Sequence, residues 1–129
     1  MVLLDTHVLI WAVDDSTGLS RTAASAIRRA RAHDGLSISA VTLWELASLF
    51  AKGKIIPHGT VEASLRLLTR QVAVWPITLE IAALAAEFPS DFSKDPADRL
   101  IGATARAEGL TLITRDENIR KSRLLKTVW

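Results

Sequence analysis

The sequence predicts an α/β domain built on a parallel sheet, and three observations carry that prediction. Short apolar runs rich in Val, Ile, Leu or Thr recur along the chain, as strands buried on both faces do. Amphipathic helical stretches separate them, the alternation expected of right-handed βαβ units. No repeat, low-complexity tract or Pro/Gly/Ser linker divides the 129 residues, so one domain spans 1–129.

The first apolar run, residues 2–4, reads as a core strand ending on Asp5. Ser20 is placed to cap a helix to about residue 32, with Ala23, Ala24, Ile27 and Ala30 inward and arginines 21, 28, 29 and 31 outward. A second strand at 36–38 leads into a helix over 41–52, where Leu43, Ala47 and Phe50 fall at i, i+4 and i+7. Gly53, Pro57 and Gly59 make residues 52–60 a loop, and a further helix runs from about 60 to 70. A third strand covers 72–75. The helix over 78–88 carries Ile81, Ala82 and Ala85 inward, and the helix over 96–108 carries Leu100, Ile101 and Thr104. Strands at 111–114 and 125–129 close the pattern.

Composition excludes several function classes. Cysteine is absent, which removes disulfides, thiolate nucleophiles, iron–sulfur ligation and cysteine-bearing zinc sites. His7, His33 and His58 are too scattered for a zinc site of their own. The net charge of +2 is too small to indicate a nucleic-acid partner by itself. Eleven of the sixteen basic residues are arginines, however, whose forked donors match phosphate and carboxylate. No apolar run approaches the ~18 residues of a membrane span. The opening Met-Val-Leu-Leu-Asp lacks the features of a secretion signal, so a cytoplasmic domain without membrane attachment is the expectation.

Ligands of open parallel sheets gather at the carboxyl ends of the strands, near a topological switch. Four acids fall there. Asp5 follows the first strand, and Asp116 follows the fourth after only Arg115. Glu45 lies in the first turns of the helix after the second strand, and Asp98 in the first turn of the helix leading to the fourth. Each also has a local explanation. Asp5 and Asp116 suit N-caps, residues 42–45 suit a capping box, and Asp95-Pro96-Ala97-Asp98 suits a cap, a proline at N1 and an acid at N3. Together they demand more, because two carboxylates ~5 Å apart repel by about 3 kcal/mol at an effective dielectric of ~20. A cation relieves that repulsion. An all-oxygen set selects Mg²⁺ or Mn²⁺, and the chemistry that follows is hydrolysis of a phosphodiester by a metal-activated water.

The segments that carry these acids are Leu3-Leu4-Asp5-Thr6-His7-Val8-Leu9-Ile10-Trp11, Ser39-Ala40-Val41-Thr42-Leu43-Trp44-Glu45-Leu46, Asp95-Pro96-Ala97-Asp98-Arg99-Leu100-Ile101-Gly102-Ala103-Thr104-Ala105 and Leu112-Ile113-Thr114-Arg115-Asp116. In that order they resemble the motifs of PIN-domain ribonucleases, and within that group the VapC-type toxins of type II toxin–antitoxin pairs. Gly53-Lys54-Ile55-Ile56-Pro57 resembles the loop after the family's glutamate-bearing helix. The resemblance implies a three-layer α/β/α domain with strand order 3-2-1-4-5 and a metal-dependent endoribonuclease. It carries the metal-binding acids onto Asp5, Glu45, Asp98 and Asp116. Asp95 is first a helix cap and second an outer ligand; Thr6 and Thr114 match positions that hydrogen-bond the acids. Arg99 and Arg115 would either grip RNA phosphate or balance the carboxylates. The implied partners are an RNA substrate, a cognate antitoxin and a second copy of the chain. The apolar residues within 43–50, with Ile55 and Ile56, are the expected antitoxin contact.

The remaining residues have plainer expectations. His7 reads as a local hydrogen-bonding residue, and Trp11 and Trp44 as core packing. The outer arginines of the first long helix, and the later group Arg115, Arg120, Lys121, Arg123 and Lys126, read as solvated faces that could also draw in an RNA backbone. Rival classes fit less well. An aspartyl-nucleophile phosphatase needs an acid two residues after Asp5, where this chain has His7, and a receiver domain needs an acidic pair near its first strand and a late lysine. The alternative that survives is a PIN-like module that binds RNA or protein without catalysis.

Overall fold

The computed structural model describes residues 1–14 and 16–129. Five strands, β1 (Val2–Leu4), β2 (Leu36–Ser39), β3 (Val72–Trp75), β4 (Thr111–Ile113) and β5 (Thr127–Val128), form one sheet in the order β3-β2-β1-β4-β5. Every pairing is parallel. The helices are α1 (Thr6–Val13), α2 (Arg21–Ala32), α3 (Ala40–Ala51), α4 (Val61–Leu68), α5 (Leu79–Glu87), α6 (Pro96–Glu108) and α7 (Glu117–Lys121), with a 3-10 turn at Ser16–Gly18. This is the strand order and layering that the resemblance implies.

The layers follow from the two-residue repeat of a strand, which sends neighbouring side chains to opposite faces. Leu4 and Ile113 join Val8, Leu9, Ile27, Ile38, Leu46 and Phe50 in a core beneath α1, α2 and α3. Their neighbours Leu3 and Leu112 join Ile81, Ala85, Ile101 and Ile119 beneath α5, α6 and α7. On this second side Gly102 is required. A Cβ there would lie 2.5 Å from Cζ of Phe92, whose ring meets that of Phe88 edge-on at 4.8 Å.

Differences from the sequence reading have local causes. β2 runs one residue further, to Ser39, which is also the N-cap of α3, so strand passes to helix without a loop. The Ser39 hydroxyl accepts from the Val41 amide at 3.2 Å, and no capping box forms over residues 42–45. The inward stripe of α3 is Thr42, Leu46 and Phe50 rather than Leu43, Ala47 and Phe50. That rotation leaves Trp44 72% exposed instead of packed in the core. Ala82 is likewise exposed, while Ile81 and Ala85 are buried as expected. β4 ends at Ile113 and β5 is only two residues long, both shorter than the runs suggest.

Candidate active site

The site forms where β1 and β4 lie side by side. Leu4 pairs with Ile113, so Asp5 and Thr114 leave the sheet together. The Asp5 amide donates to the Ile113 carbonyl at 3.0 Å. One Asp5 oxygen accepts from the Thr6 amide at 2.9 Å as the N-cap of α1; the other accepts from the Thr114 hydroxyl at 2.7 Å. Thr114 also accepts from the Asp116 amide at 3.1 Å. Asp116 caps α7 through the Ile119 amide at 3.1 Å.

Glu45 reaches the same edge from α3. Its carboxylate accepts from the buried Thr6 hydroxyl at 2.5 Å, and Thr6 lies 3.0 Å from the Thr42 hydroxyl. Thr6 has one proton and gives it to Glu45, so Thr42 is the donor to Thr6. Asp98 comes from the first turn of α6 and accepts from the Ser93 hydroxyl at 2.9 Å. Ser93 in turn accepts from the Asp95 amide at 3.1 Å, and Asp95 caps α6 through the Ala97 amide at 2.9 Å. Asp95 thus has the capping role expected of it. Ser93 escaped the sequence reading, and Thr42 entered it only as the start of a capping box. The only local signal for Ser93 was a hydroxyl two residues ahead of a capping aspartate.

The acids share one electrostatic environment. Burial pushes the Asp98 carboxyl up to about 6, the Ser93 hydroxyl opposes this, and Asp5, Asp95 and Asp116 add to the rise. Burial likewise raises Asp5 above its ordinary value, opposed by the Thr114 hydroxyl, the Thr6 amide and His7, and reinforced by Asp116. Glu45 is raised by burial against the Thr6 hydroxyl, with Asp95 and Asp5 adding to it and His7 opposing. Groups that raise one another in this way are holding negative charge at a cost.

Two arginines resolve differently. The hydrogen bonds of Arg99 run to backbone carbonyls rather than to the four acids. Its guanidinium donates to the carbonyls of Ala85 at 2.9 Å, Ser93 at 3.0 Å and Pro89 at 3.1 Å, and also to those of Ala86 and Phe88. Those bonds tie the end of α5 and residues 88–93 to α6. Arg115 is exposed beside Asp116, with its guanidinium carbon 5.9 Å from the centre of the Trp11 ring. His7 is exposed rather than enclosed in a local network, and its ring lies 6.1 Å from that of Trp11.

The donor set suits a hard divalent cation. Among the described residues, no three His, Asp or Glu side chains are drawn together tightly enough to cage an ion. Mg²⁺ does not need such a cage: it commonly takes one or two carboxylates, keeps waters and uses substrate phosphate for the rest. Partly buried carboxylates that repel one another at a sheet edge meet that requirement.

The comparisons with known proteins follow the same line. The PIN-domain profile matches residues 2–123. Ribonuclease VapC22 of Mycobacterium tuberculosis (strain ATCC 25618 / H37Rv) is 40% identical over 130 residues, covering 99% of this chain and 98% of that protein. Two solved structures share the fold. VapBC2 of Rickettsia felis, bound to a promoter DNA fragment, superposes with a TM-score of 0.74 at 16% identity over 98% of this chain and 97% of that one. A toxin–antitoxin complex from Klebsiella pneumoniae gives 0.68 at 24% identity over 97% and 95%. With the profile spanning nearly the whole sequence and the VapC22 relationship running end to end, this chain belongs to the PIN-domain family.

Proposed function

We propose that this chain is a Mg²⁺- or Mn²⁺-dependent endoribonuclease, the toxin of a type II toxin–antitoxin pair. The observation that carries the reading is the meeting of Asp5, Glu45, Asp98 and Asp116 at the carboxyl edge of β1 and β4, where three of them are raised by burial and by one another. The 40% identity to a ribonuclease over the full chain supports the reaction class.

In this reading Asp5, Glu45, Asp98 and Asp116 would hold the cation. When bound, it supplies charge for the phosphate and lowers the pKa of its water. The chain's own part is to set the carboxylates in place and keep them ionised. Thr114 fixes Asp5, the Thr42–Thr6 pair fixes Glu45, and Ser93 fixes Asp98. Each hydroxyl donates a hydrogen bond to a carboxylate and so favours the charged form that a cation needs. Arg115, exposed next to Asp116, is the side chain best placed to take a phosphate oxygen.

The antitoxin has a candidate seat. A groove of about 610 Å³ opens between α1, α4 and residues 52–60, lined by Leu9, Ile10, Phe50, Ile55, Ile56 and Leu68. Phe50, Ile55 and Ile56 belong to the expected contact; Leu46, by contrast, is 0% exposed and belongs to the core. Structural neighbours solved as toxin–antitoxin complexes favour such a partner. A second copy of the chain is also part of the reading, with exposed Trp44 and Leu79 as available apolar surface. No described helix is long and apolar enough to cross a membrane, and the cytoplasm, where RNA and antitoxin meet, is the proposed compartment.

Purified protein should cut structured RNA with Mg²⁺ or Mn²⁺ and stop after EDTA. Its expression alone should arrest growth, and co-expression of an antitoxin encoded beside it should relieve the arrest. Full activity after exhaustive chelation contradicts the metal dependence. Binding without cleavage under any divalent cation would favour the non-catalytic module.

A further inference from the structure

We propose that the open cleft between α2, α7 and β5 seats a single-stranded stretch of the RNA that flanks the bond to be cut, an inference that rests on the ribonuclease reading above. The cleft measures about 680 Å³ and is lined by Thr22 from α2, by Glu117, Arg120 and Lys121 from α7, and by Trp129 beside β5. Two features of sequence-tolerant strand binding meet there: cations that follow a phosphate backbone and an aromatic ring on which a base can stack.

The cleft is joined to the acidic site in two ways. α7 carries both: its cap Asp116 belongs to the site, and its last turn holds Arg120 and Lys121. At 1.5 Å per residue the backbones of these residues lie about 6 to 8 Å from Asp116 along the helix axis. A row of rings makes the second link. Trp129 lies 5.8 Å from Trp11, Trp11 lies 6.1 Å from His7, and Arg115 stands over Trp11 at 5.9 Å. Trp11 is held from behind by Gly18, where a Cβ would come within 2.6 Å of the indole. A fixed indole keeps Arg115 and Trp129 at set positions on the way from Asp5 to the cleft.

Charge favours a polyanion as the occupant. Residues 115–129 contain Arg115, Arg120, Lys121, Arg123 and Lys126 against Asp116 and Glu117. The acids sit at the active-site end of α7 and the cations at the far end, so a phosphate chain meets the cation site first and then a run of positive charge. An acidic protein segment carries the same sign of charge but gains nothing from stacking along its length.

The test uses the full chain and a short, fluorescein-labelled single-stranded RNA of mixed sequence, with fluorescence anisotropy read in EDTA across a salt series. Arg120→Ala/Lys121→Ala should weaken binding on the order of tenfold and flatten the salt slope by about 1.4, at ~0.7 per lost phosphate contact on a single strand. Lys52→Ala/Arg66→Ala, exposed at the end of α3 and on α4 and absent from the cleft lining, serves as the charge control and should change neither. Trp129→Phe should keep affinity that Trp129→Leu loses. Equal loss in both double variants, or no loss at Arg120 and Lys121, overturns the proposal. So does unchanged RNA affinity with weakened inhibition by the antitoxin, which would assign the cleft to that protein. Adding Mg²⁺ to the same samples reads cleavage separately. Cleft-dependent binding by a wild-type chain that cuts no RNA supports the cleft and fails the ribonuclease reading alone.

Discussion

The hydroxyl of Thr6 shows how much of the site depends on single bonds. It is buried, takes its proton partner from Thr42 and gives its own proton to Glu45. Thr6→Val keeps the shape and removes both bonds. It should lower metal affinity or cleavage by about 10–100-fold. It should also cost roughly 1–3 kcal/mol in denaturant unfolding, because the Thr42 hydroxyl loses its partner. Unchanged cleavage rates in Thr6→Val would show that Glu45 does not depend on this support. Asp98 makes a second prediction, in metal-free buffer. Its carboxyl titrates at about 6 in the folded chain against 3.8 ordinarily, so the folded state binds that proton more tightly. Stability should therefore fall as pH rises from below the lower value to above the upper one. Asp5 and Glu45 are raised in the same direction, so the measurement is a comparison of slopes. Denaturation midpoints across this range should fall less steeply for Asp98→Asn than for wild type. Identical slopes would place the carboxyl in an ordinary environment.

At the scale of elements, what could be read from the sequence depended on whether the cause was local. α2 and α6 were legible because Ser20 and Asp95-Pro96 mark their starts and their apolar faces repeat at helical spacing. α1 was not identified, since Thr-His-Val-Leu-Ile-Trp-Ala-Val has apolar residues on every face and β-branched residues among them. The sheet-edge placement of all four acids was legible from where they stand after strands and in first turns. What the acids lean on was not, because Thr6 and Glu45 are far apart in sequence and Ser93 acts from a loop. Arg99 is the plainest case. Three of its carbonyl partners, on Phe88, Pro89 and Ser93, lie past the end of α5, where no periodicity describes the path of the chain. Arg99→Lys keeps the charge but loses the fork, so it should destabilise the fold by about 2 kcal/mol or more. If Arg99 were instead a phosphate grip, the lysine would melt like wild type and raise the KM for RNA; thermal melts and kinetics on one preparation separate the two.

For the molecule as a whole, capping and cation binding are not rivals at two of the four positions. Asp5 and Asp116 cap helices and also face the switch point between β1 and β4, so helix ends deliver the carboxylates to the site. Asp98 and Glu45 cap nothing, and of the two Asp98 is the more strongly raised, its oxygen bonding to Ser93. It therefore gives the cleanest test that the four acids act as one cation site. Thermal melts of wild type and Asp98→Asn, near neutral pH with EDTA and then with Mg²⁺, measure this directly when paired with RNA cleavage on the same samples. Without metal, Asp98→Asn should melt at or above wild type, since one member of a crowded anionic group is gone. With Mg²⁺ the wild-type melting temperature should rise more than the variant's, as ligand binding to the folded state requires, and only wild type should cut RNA. An Asp98→Asn protein that melts below wild type in EDTA, gains as much from Mg²⁺ and still cuts RNA would contradict the account.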